Sequence, residues 1–403
     1  MASSWAATEL GEVIEILDSK RIPLSSRERQ QRQGAFPYYG AQGIIDHIDD
    51  YIFDGQFILV AEDGENLNSR KLPLALMASG KFWVNNHAHI IRSKPGVSDD
   101  IFLLHSLNCT DIKPYVTGAA QPKLSQANMR LIKITLPPLP IQRRIAGILS
   151  AYDALIENSQ RRIKILEEMA RRLYREWFVH FRFPGYEGCR LVESPLGEIP
   201  ERWEVAKLED ISSYINRGIT PSYDEMGDSV VLNQKCVRHQ RLNLEPARRQ
   251  IKPIPPEKQI RFGDVLINST GVGTLGRVAQ VYTSLESCTV DTHVTIARAA
   301  PDLDLDFYGC CLLGNQEVFE RLGVGATGQT ELSRNSIASI ELVMPPSALQ
   351  CQFGAIVSGL RLSAEIYLNQ VQNLRRTRDM LLPRLLSGLV DIEALPNPDL
   401  SEP

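Results

Sequence analysis

Two copies of one pattern lie about 208 residues apart in this chain, and that duplication constrains the fold more than any other feature. Leu136-Pro137-Pro138 followed by Ile141-Gln142 returns as Met344-Pro345-Pro346 followed by Leu349-Gln350. Ahead of the first copy stands Gly118-Ala119-Ala120-Gln121-Pro122-Lys123-Leu124-Ser125. Ahead of the second stands Gly325-Ala326-Thr327-Gly328-Gln329-Thr330-Glu331-Leu332-Ser333. Short-period repeats make solenoids, whereas two long copies indicate a duplicated domain. Such a chain is built to grip something that has two separated parts.

After each copy comes a heptad stripe. Ile145, Leu149, Tyr152, Ile156, Ser159, Ile163, Leu166, Ala170, Leu173 and Trp177 alternate steps of four and three. Phe353, Val357, Leu360, Ala364, Tyr367, Val371, Leu374, Arg378, Leu381 and Leu385 repeat that register at a constant offset of 208. These are a/d seams. A helix packed on its own domain is the ordinary reading of one stripe, but two stripes of equal length are each other's natural partners. Helices separated by a compact domain pair most simply antiparallel. The expected seam contacts are Ile156, Ile163, Leu166 and Leu173 on the first helix and Leu360, Tyr367, Val371 and Leu374 on the second. Pro383 is expected to end or kink the second helix near Leu382, because its ring removes a backbone bond. A helix over 150–180 would be roughly 45 Å long at 1.5 Å per residue, a little more than one turn of duplex DNA at about 34–36 Å.

The segments before the helices read as mixed α/β. In the first, residues 56–60 and 88–91 have the pattern of buried strands, a short helix is expected near 99–108, and 131–136 alternates as a strand. In the second, 264–268 and 292–296 are the matching strands, followed by a helix near 306–323 and an alternating run over 337–343. His89 is aligned with His293 at an offset of 204. The expected division is 1–136 and 186–343 for the two domains, 137–185 and 344–395 for the helical regions, and 396–403 for an acidic tail.

Composition excludes several classes. With 43% hydrophobic and 23% charged residues the chain has the make-up of a globular protein, and its net charge of -4 gives no general attraction to nucleic acid. Seven cysteines without a CxxC pair point to reduced thiols in a cytoplasmic setting. Met1-Ala2-Ser3-Ser4-Trp5 lacks the basic and apolar regions of a signal peptide, and no 18-residue apolar run is present, so no membrane partner is expected.

Catalytic signatures are missing as well. There is no GxxxxGK[ST], HExxH, GxSxG or Asn/Asp-Pro-Pro-Tyr. Gly271-Val272-Gly273-Thr274-Leu275-Gly276 satisfies GxGxxG, yet a dinucleotide site needs a helix next. The following Arg277-Val278-Ala279-Gln280-Val281-Tyr282 alternates as a strand, so a glycine-rich hairpin is the better reading. His87 and His89 could share a metal from one strand face, but no further ligand accompanies them and a packed histidine is favoured. No catalytic residue, cofactor or metal is expected on this chain.

Nucleic-acid signals are local. Arg143, Arg144, Arg161, Arg162, Lys164, Arg171, Arg172 and Arg175 crowd the first helix, a pattern that otherwise marks the solvated face of a coiled coil. Arg238, Arg241, Arg248, Arg249, Lys252, Lys258 and Arg261 make a basic stretch suited to phosphates or to plain solvation. The loops Gln121-Pro122-Lys123 and Gln329-Thr330-Glu331 hold equivalent places and carry groups that match base edges. Lys123 against Glu331 means that one scaffold bears two chemistries.

The ordered set of motifs resembles one family, the specificity subunits of type I restriction-modification enzymes. The resemblance covers nearly the whole chain. It rests on the duplicated loop-strand-Pro-Pro-helix unit, on Trp177-Phe178-Val179 with Phe183-Pro184-Gly185, and on Leu381-Leu382-Pro383-Arg384-Leu385-Leu386-Ser387-Gly388. Tyr38-Tyr39-Gly40-Ala41-Gln42-Gly43-Ile44-Ile45 adds a target-recognition motif. The resemblance implies an α/β (α+β) fold, with two target-recognition domains joined by two long helices packed as an antiparallel coiled coil. It implies a non-catalytic subunit in which each domain reads half of a bipartite, asymmetric site in double-stranded DNA and the helices set the spacer. The implied partners are two methyltransferase subunits, which bind S-adenosylmethionine, and two motor-nuclease restriction subunits. Expected DNA contacts are Tyr39, Gln42, Gln121 and Lys123 in the first domain, and Arg217, Asn268, Thr270, Gln329 and Arg334 in the second. The competing readings are an assembly protein whose coiled coils recruit partners without reading DNA, and a nucleotide-dependent enzyme using residues 271–276.

Overall fold

The computed structural model describes residues 5–118, 121–324, 330–390 and 392. The chain forms two compact units, one of residues 1–159 with 369–403 and one of residues 160–368.

In the first unit a six-stranded sheet runs in the order Ile14–Ile16, Ala88–Ser93, Phe53–Ala61, Ala75–Val84, Gln33–Gly40, Gly43–Ile48. All pairs are antiparallel except Gln33–Gly40 with Ala75–Val84. Side chains alternate across a strand, and here both faces are covered. Ile58 and Val60 pack with Leu103, Leu107 and Leu124 on one side, while Phe57 and Leu59 pack with Phe82 and Ile90 on the other. That is why residues 57–60 form an unbroken apolar run.

The second unit repeats the plan around a four-stranded antiparallel sheet: Ser212–Arg217, Val294–Ala299, Val265–Asn268, Val278–Gln280. A three-stranded sheet, Arg248–Gln250, Ser229–Leu232, Cys288–Val290, has no expectation behind it in the sequence reading. The single helix expected near 306–323 is two, Leu305–Gly314 and Gln316–Arg321, divided at Asn315, whose amide bonds the Cys311 carbonyl at 2.8 Å. The run over 337–343 is likewise divided. Ser333 caps a helical turn, Arg334–Ala338, and the strand is only Glu341–Met344. Ser125 caps Gln126–Arg130 in the same way ahead of strand Lys133–Leu136.

The repeated Pro-Pro…Gln motif has a mechanical explanation. Gln142 Nε2 donates to the Pro137 carbonyl at 2.8 Å, and Gln350 Nε2 donates to the Pro345 carbonyl at 2.8 Å. Both glutamines are buried and tie the backbone just ahead of the long helices Leu139–Tyr174 and Ser347–Leu386 to the first turn of each.

Both long helices contribute to both units. In the first unit, Ile145 and Leu149 pack with Leu385 and Phe102, and Arg378 pairs with Asp153. In the second, Tyr174 packs on Phe353 and the Arg162 guanidinium donates to the Tyr367 hydroxyl at 2.7 Å. Early positions of one helix meet late positions of the other in each unit, so the pairing is antiparallel. Of the expected seam residues, Ile156, Ile163 and Val371 are buried, and Leu166, Leu173, Leu360, Tyr367 and Leu374 are half-buried.

Two helix ends differ from expectation. The first helix widens into a five-residue π-helical segment, Arg175–Val179, which buries Trp177 and Phe178. The second does not stop near Leu382 but passes through Pro383 to Leu386. Its end is instead Gly388, left-handed at φ +71°, with Leu389 N bonded to the Arg384 carbonyl at 3.0 Å. Pro383 is exposed, while Leu385 beside it is locked in the core.

Candidate nucleic-acid interface

The same backbone clamp occurs once in each unit. In the first, Lys123 N and O exchange bonds with Thr117 at 2.7 and 2.8 Å, and Leu124 N donates to the Glu62 carbonyl at 2.8 Å. In the second, Glu331 and Val324 exchange two bonds at 3.0 Å, and Leu332 N donates to the Ser269 carbonyl at 2.8 Å. Lys123 also bridges to Asp63, and Glu331 to Thr270. The loop carrying the variable residue is thus stitched to the end of a central strand in both copies. Gly118 is required for this in the first: at φ +88° a Cβ would strike the Gln121 carbonyl.

Identical backbone frames hold different side chains. Lys123 Nζ lies 3.3 Å from Glu62, which also accepts from Arg21 at 2.7 Å. Burial pushes the Glu62 carboxyl up, but Arg21, His89 and Lys123 outweigh it and hold it below its ordinary value. Opposite charge order rules in the second unit, where Glu331 pairs with Arg217 at 2.6 Å and Arg217 also donates to the Leu332 carbonyl at 3.0 Å.

His89 fills the space beneath the first loop. Its side chain is 2% exposed, with Nδ1 at 2.6 Å from Asp18 and Nε2 at 2.8 Å from the Leu124 carbonyl. The packed-histidine reading holds for it. Its alignment with His293 does not. His87 N bonds the Asn85 side chain at 2.8 Å, and His293 N bonds Asp291 at 2.9 Å. The strand pairings Ala61↔Ala88 and Asn268↔Val294 give the same correspondence. His87 is therefore the counterpart of His293, and the buried place of His89 is taken by Thr295, bonded to Ser269 at 2.6 Å. The repeated pair Asn85-x-His87 and Asp291-x-His293 was the sequence signal for this.

The expected contact residues divide. Gln42 sits exposed in the tight turn between Gln33–Gly40 and Gly43–Ile48, and Tyr39 is half-buried, edge-on to Phe82 at 5.5 Å between ring centres. Burial pushes the Tyr39 phenol up. Asn85 N bonds the Tyr39 carbonyl at 3.0 Å, which joins this strand to the His87 turn. Gln121, Lys123 and Arg334 are exposed, while Arg217 and Thr270 are half-buried. Gln329 lies outside the described residues. Asn268 is not a surface reader. It is 0% exposed, and its amide bonds the carbonyls of Gln234 at 2.9 Å and Thr274 at 3.0 Å, clamping the glycine turn.

That turn, residues 271–276, leads into strand Val278–Gln280 rather than a helix. Much of the basic stretch is engaged locally. Arg241 pairs with Glu167, Arg248 stacks 3.6 Å from the Tyr223 ring centre, Arg249 bonds the Gly227 carbonyl, and Lys252 and Lys258 bond the carbonyls of Thr220 and Gly218. Among the described residues no group of three or more His, Cys, Asp or Glu could hold a metal ion, and no helix is long and apolar enough to cross a membrane.

Residues 2–168 match the family model of the type I restriction modification DNA specificity domain. A putative type I restriction enzyme specificity subunit of Haemophilus influenzae is 38% identical over 147 residues, which is 36% of this chain and 37% of that protein's length. The putative MjaX specificity subunit of Methanocaldococcus jannaschii is 23% identical over 96% of this chain and 94% of its own. In fold, the chain is similar to the crystal structure of a type I restriction-modification S subunit from M. genitalium, with a TM-score of 0.61 at 16% identity over 94% of this chain and 96% of that one. Over residues 2–168 the chain is thus similar to a type I restriction modification DNA specificity domain, and over most of its length it is similar to a type I specificity subunit.

Proposed function

We propose that this chain is the non-catalytic DNA-specificity subunit of a type I restriction-modification enzyme. Each unit reads one half of a bipartite, asymmetric site in double-stranded DNA. The paired helices set the unread spacer and dock two methyltransferase subunits, and restriction subunits join that complex. S-adenosylmethionine belongs to the methyltransferase partner, and the setting is the cytoplasm. The observation that carries this reading is the clamp repeated bond for bond in both units with Lys123 in one and Glu331 in the other. A frame held constant while its outward chemistry changes suits a protein that recognises two different sequences with one fold. Lysine matches guanine acceptors and a carboxylate matches the cytosine amine in the major groove. Exposed Ile165 and Met169, flanked by Lys164 and Arg172 on the first long helix, provide an apolar and basic face for a protein partner.

The test is to co-express the chain with a methyltransferase partner and sequence methylated adenines across the host genome. The expected result is one asymmetric motif of two short half-sites at a fixed separation. Methylation indifferent to sequence would overturn the reading and leave an assembly protein.

A further inference from the structure

We propose that His87 and His293 are equivalent specificity-determining residues, each contacting a base edge in the half-site read by its own unit. The inference rests on the DNA-reading function proposed above. Both histidines occupy the turn between the last residue of one strand and the first of Ala88–Ser93 or Val294–Ala299, next to the clamped loop. The main-chain N–H and C=O of each are both bonded. His87 N bonds the Asn85 side chain and its carbonyl accepts from Glu62 N at 2.9 Å. His293 N bonds the Asp291 side chain and its carbonyl accepts from Ser269 N at 2.8 Å.

Neither ring fills a core. The His87 side chain is 49% exposed, against 2% for His89, and His293 is exposed as well. One nitrogen of each exposed ring is nevertheless oriented. Nδ1 of His87 lies 2.7 Å from the Asp63 carboxylate, and Nδ1 of His293 lies 2.7 Å from the Thr270 hydroxyl. Nε2 has no hydrogen-bond partner among the described residues in either case. An exposed ring that is aimed but left with one unused polar atom is arranged for an external group.

The partners of the two rings differ in what they permit. A carboxylate only accepts, so Asp63 holds Nδ1–H and leaves the neutral His87 ring with an outward acceptor at Nε2. That atom suits the exocyclic amine of adenine or cytosine. A hydroxyl both donates and accepts, so Thr270 lets His293 present either a donor or an acceptor. One ring position thus has two hydrogen-bonding characters in the two units, in parallel with Lys123 and Glu331.

The experiment uses the chain assembled with its methyltransferase partner and reads base preference at every position of the methylated motif. His87→Ala is expected to lower discrimination about ten-fold at one position of the first unit's half-site, with the other half-site and the spacer unchanged. His293→Ala is expected to do the same in the other half-site only. His87→Gln and His293→Gln keep a polar tip at these exposed places and serve if alanine reduces solubility. Unchanged preference at every position in all four variants overturns the inference while leaving the DNA-reading function intact. An equal loss on all sequences also overturns it, because that is the signature of a phosphate contact or a folding defect. A wild-type complex without sequence preference removes the function itself, and the inference with it.

Discussion

Asp18 organises the floor of the first clamp. It accepts from His89 at 2.6 Å and from Ile90 N at 2.8 Å, and it lies 3.5 Å from Arg21. Burial pushes its carboxyl up, but the bonds from His89 and Ile90 and the nearby positive charges prevail and hold it below its ordinary value. A carboxyl depressed in the folded state adds stability above its unfolded pKa and loses it as pH falls through the folded value. The clamp should therefore be at full strength near neutrality and weaken below about pH 4. Asp18→Asn removes the buried carboxylate that accepts from His89 and Ile90 and is expected to cost about 3 kcal/mol near pH 7. Urea unfolding at pH 7 and at about pH 2–3 checks this, and a gap between variant and wild type that does not shrink at the lower pH refutes it. At this scale the residue types were readable in sequence but their partners were not. His89 and Asp18 are 71 residues apart, and Asn268, polar and beside a glycine turn, has the sequence character of a surface reader while lying wholly inside.

Among the elements, the two long helices carry ion pairs at matched places. Position 153 carries an aspartate that pairs with Arg378 and approaches His105 at 3.6 Å. Position 361, its equivalent 208 residues on, carries an arginine that pairs with Asp306 at 2.8 Å and lies over Tyr282 at 4.8 Å from the ring centre. The matched positions carry opposite charges, but Asp153 pairs with the other long helix whereas Arg361 pairs with the domain. Burial pushes His105 down, which favours the neutral ring beside Asp153. Arg361→Ala should destabilise the second unit by about 3 kcal/mol, because Asp306 is then a buried charge without a partner. Arg361→Ala with Asp306→Ala should recover part of that loss, and a thermal-unfolding double-mutant cycle measures it. Additive losses would refute the pairing. A second anchor is aromatic: Phe178 lies 4.9 Å from both Phe307 and Phe353 between ring centres. Phe178→Ala is expected to cost about 3–5 kcal/mol by calorimetry. Heptad spacing announced both helices, since a 3.5-residue period is a local property. It was silent on the π-helical segment and on passage through Pro383, which depend on what the neighbouring side chains pack against.

For the molecule as a whole, the proposed ruler makes a quantitative statement. Inserting seven residues at the middle of both long helices preserves the heptad register and adds about 10 Å at 1.5 Å per residue. The recognised spacer should lengthen by about three base pairs at 3.4 Å each, with both half-sites unchanged. Sequencing of methylated adenines reads the result, and an unaltered spacer sinks the ruler. Duplication, the antiparallel seam and the strand-rich character of both domains were legible before any coordinates, because repeats and side-chain period are written along the chain. The three-stranded sheet Arg248–Gln250, Ser229–Leu232, Cys288–Val290 was not, since its strands are three or four residues long and joined across long loops. Nor was the true partner of His293, for which an offset count chose His89 and the hydrogen bonds chose His87. Periodicity and motif spacing are carried by covalent order, so a linear reading recovers them. Which polar atoms meet is decided by residues far apart in that order and brought within 3 Å by burial of the apolar faces, so contact chemistry emerges only when the chain is folded.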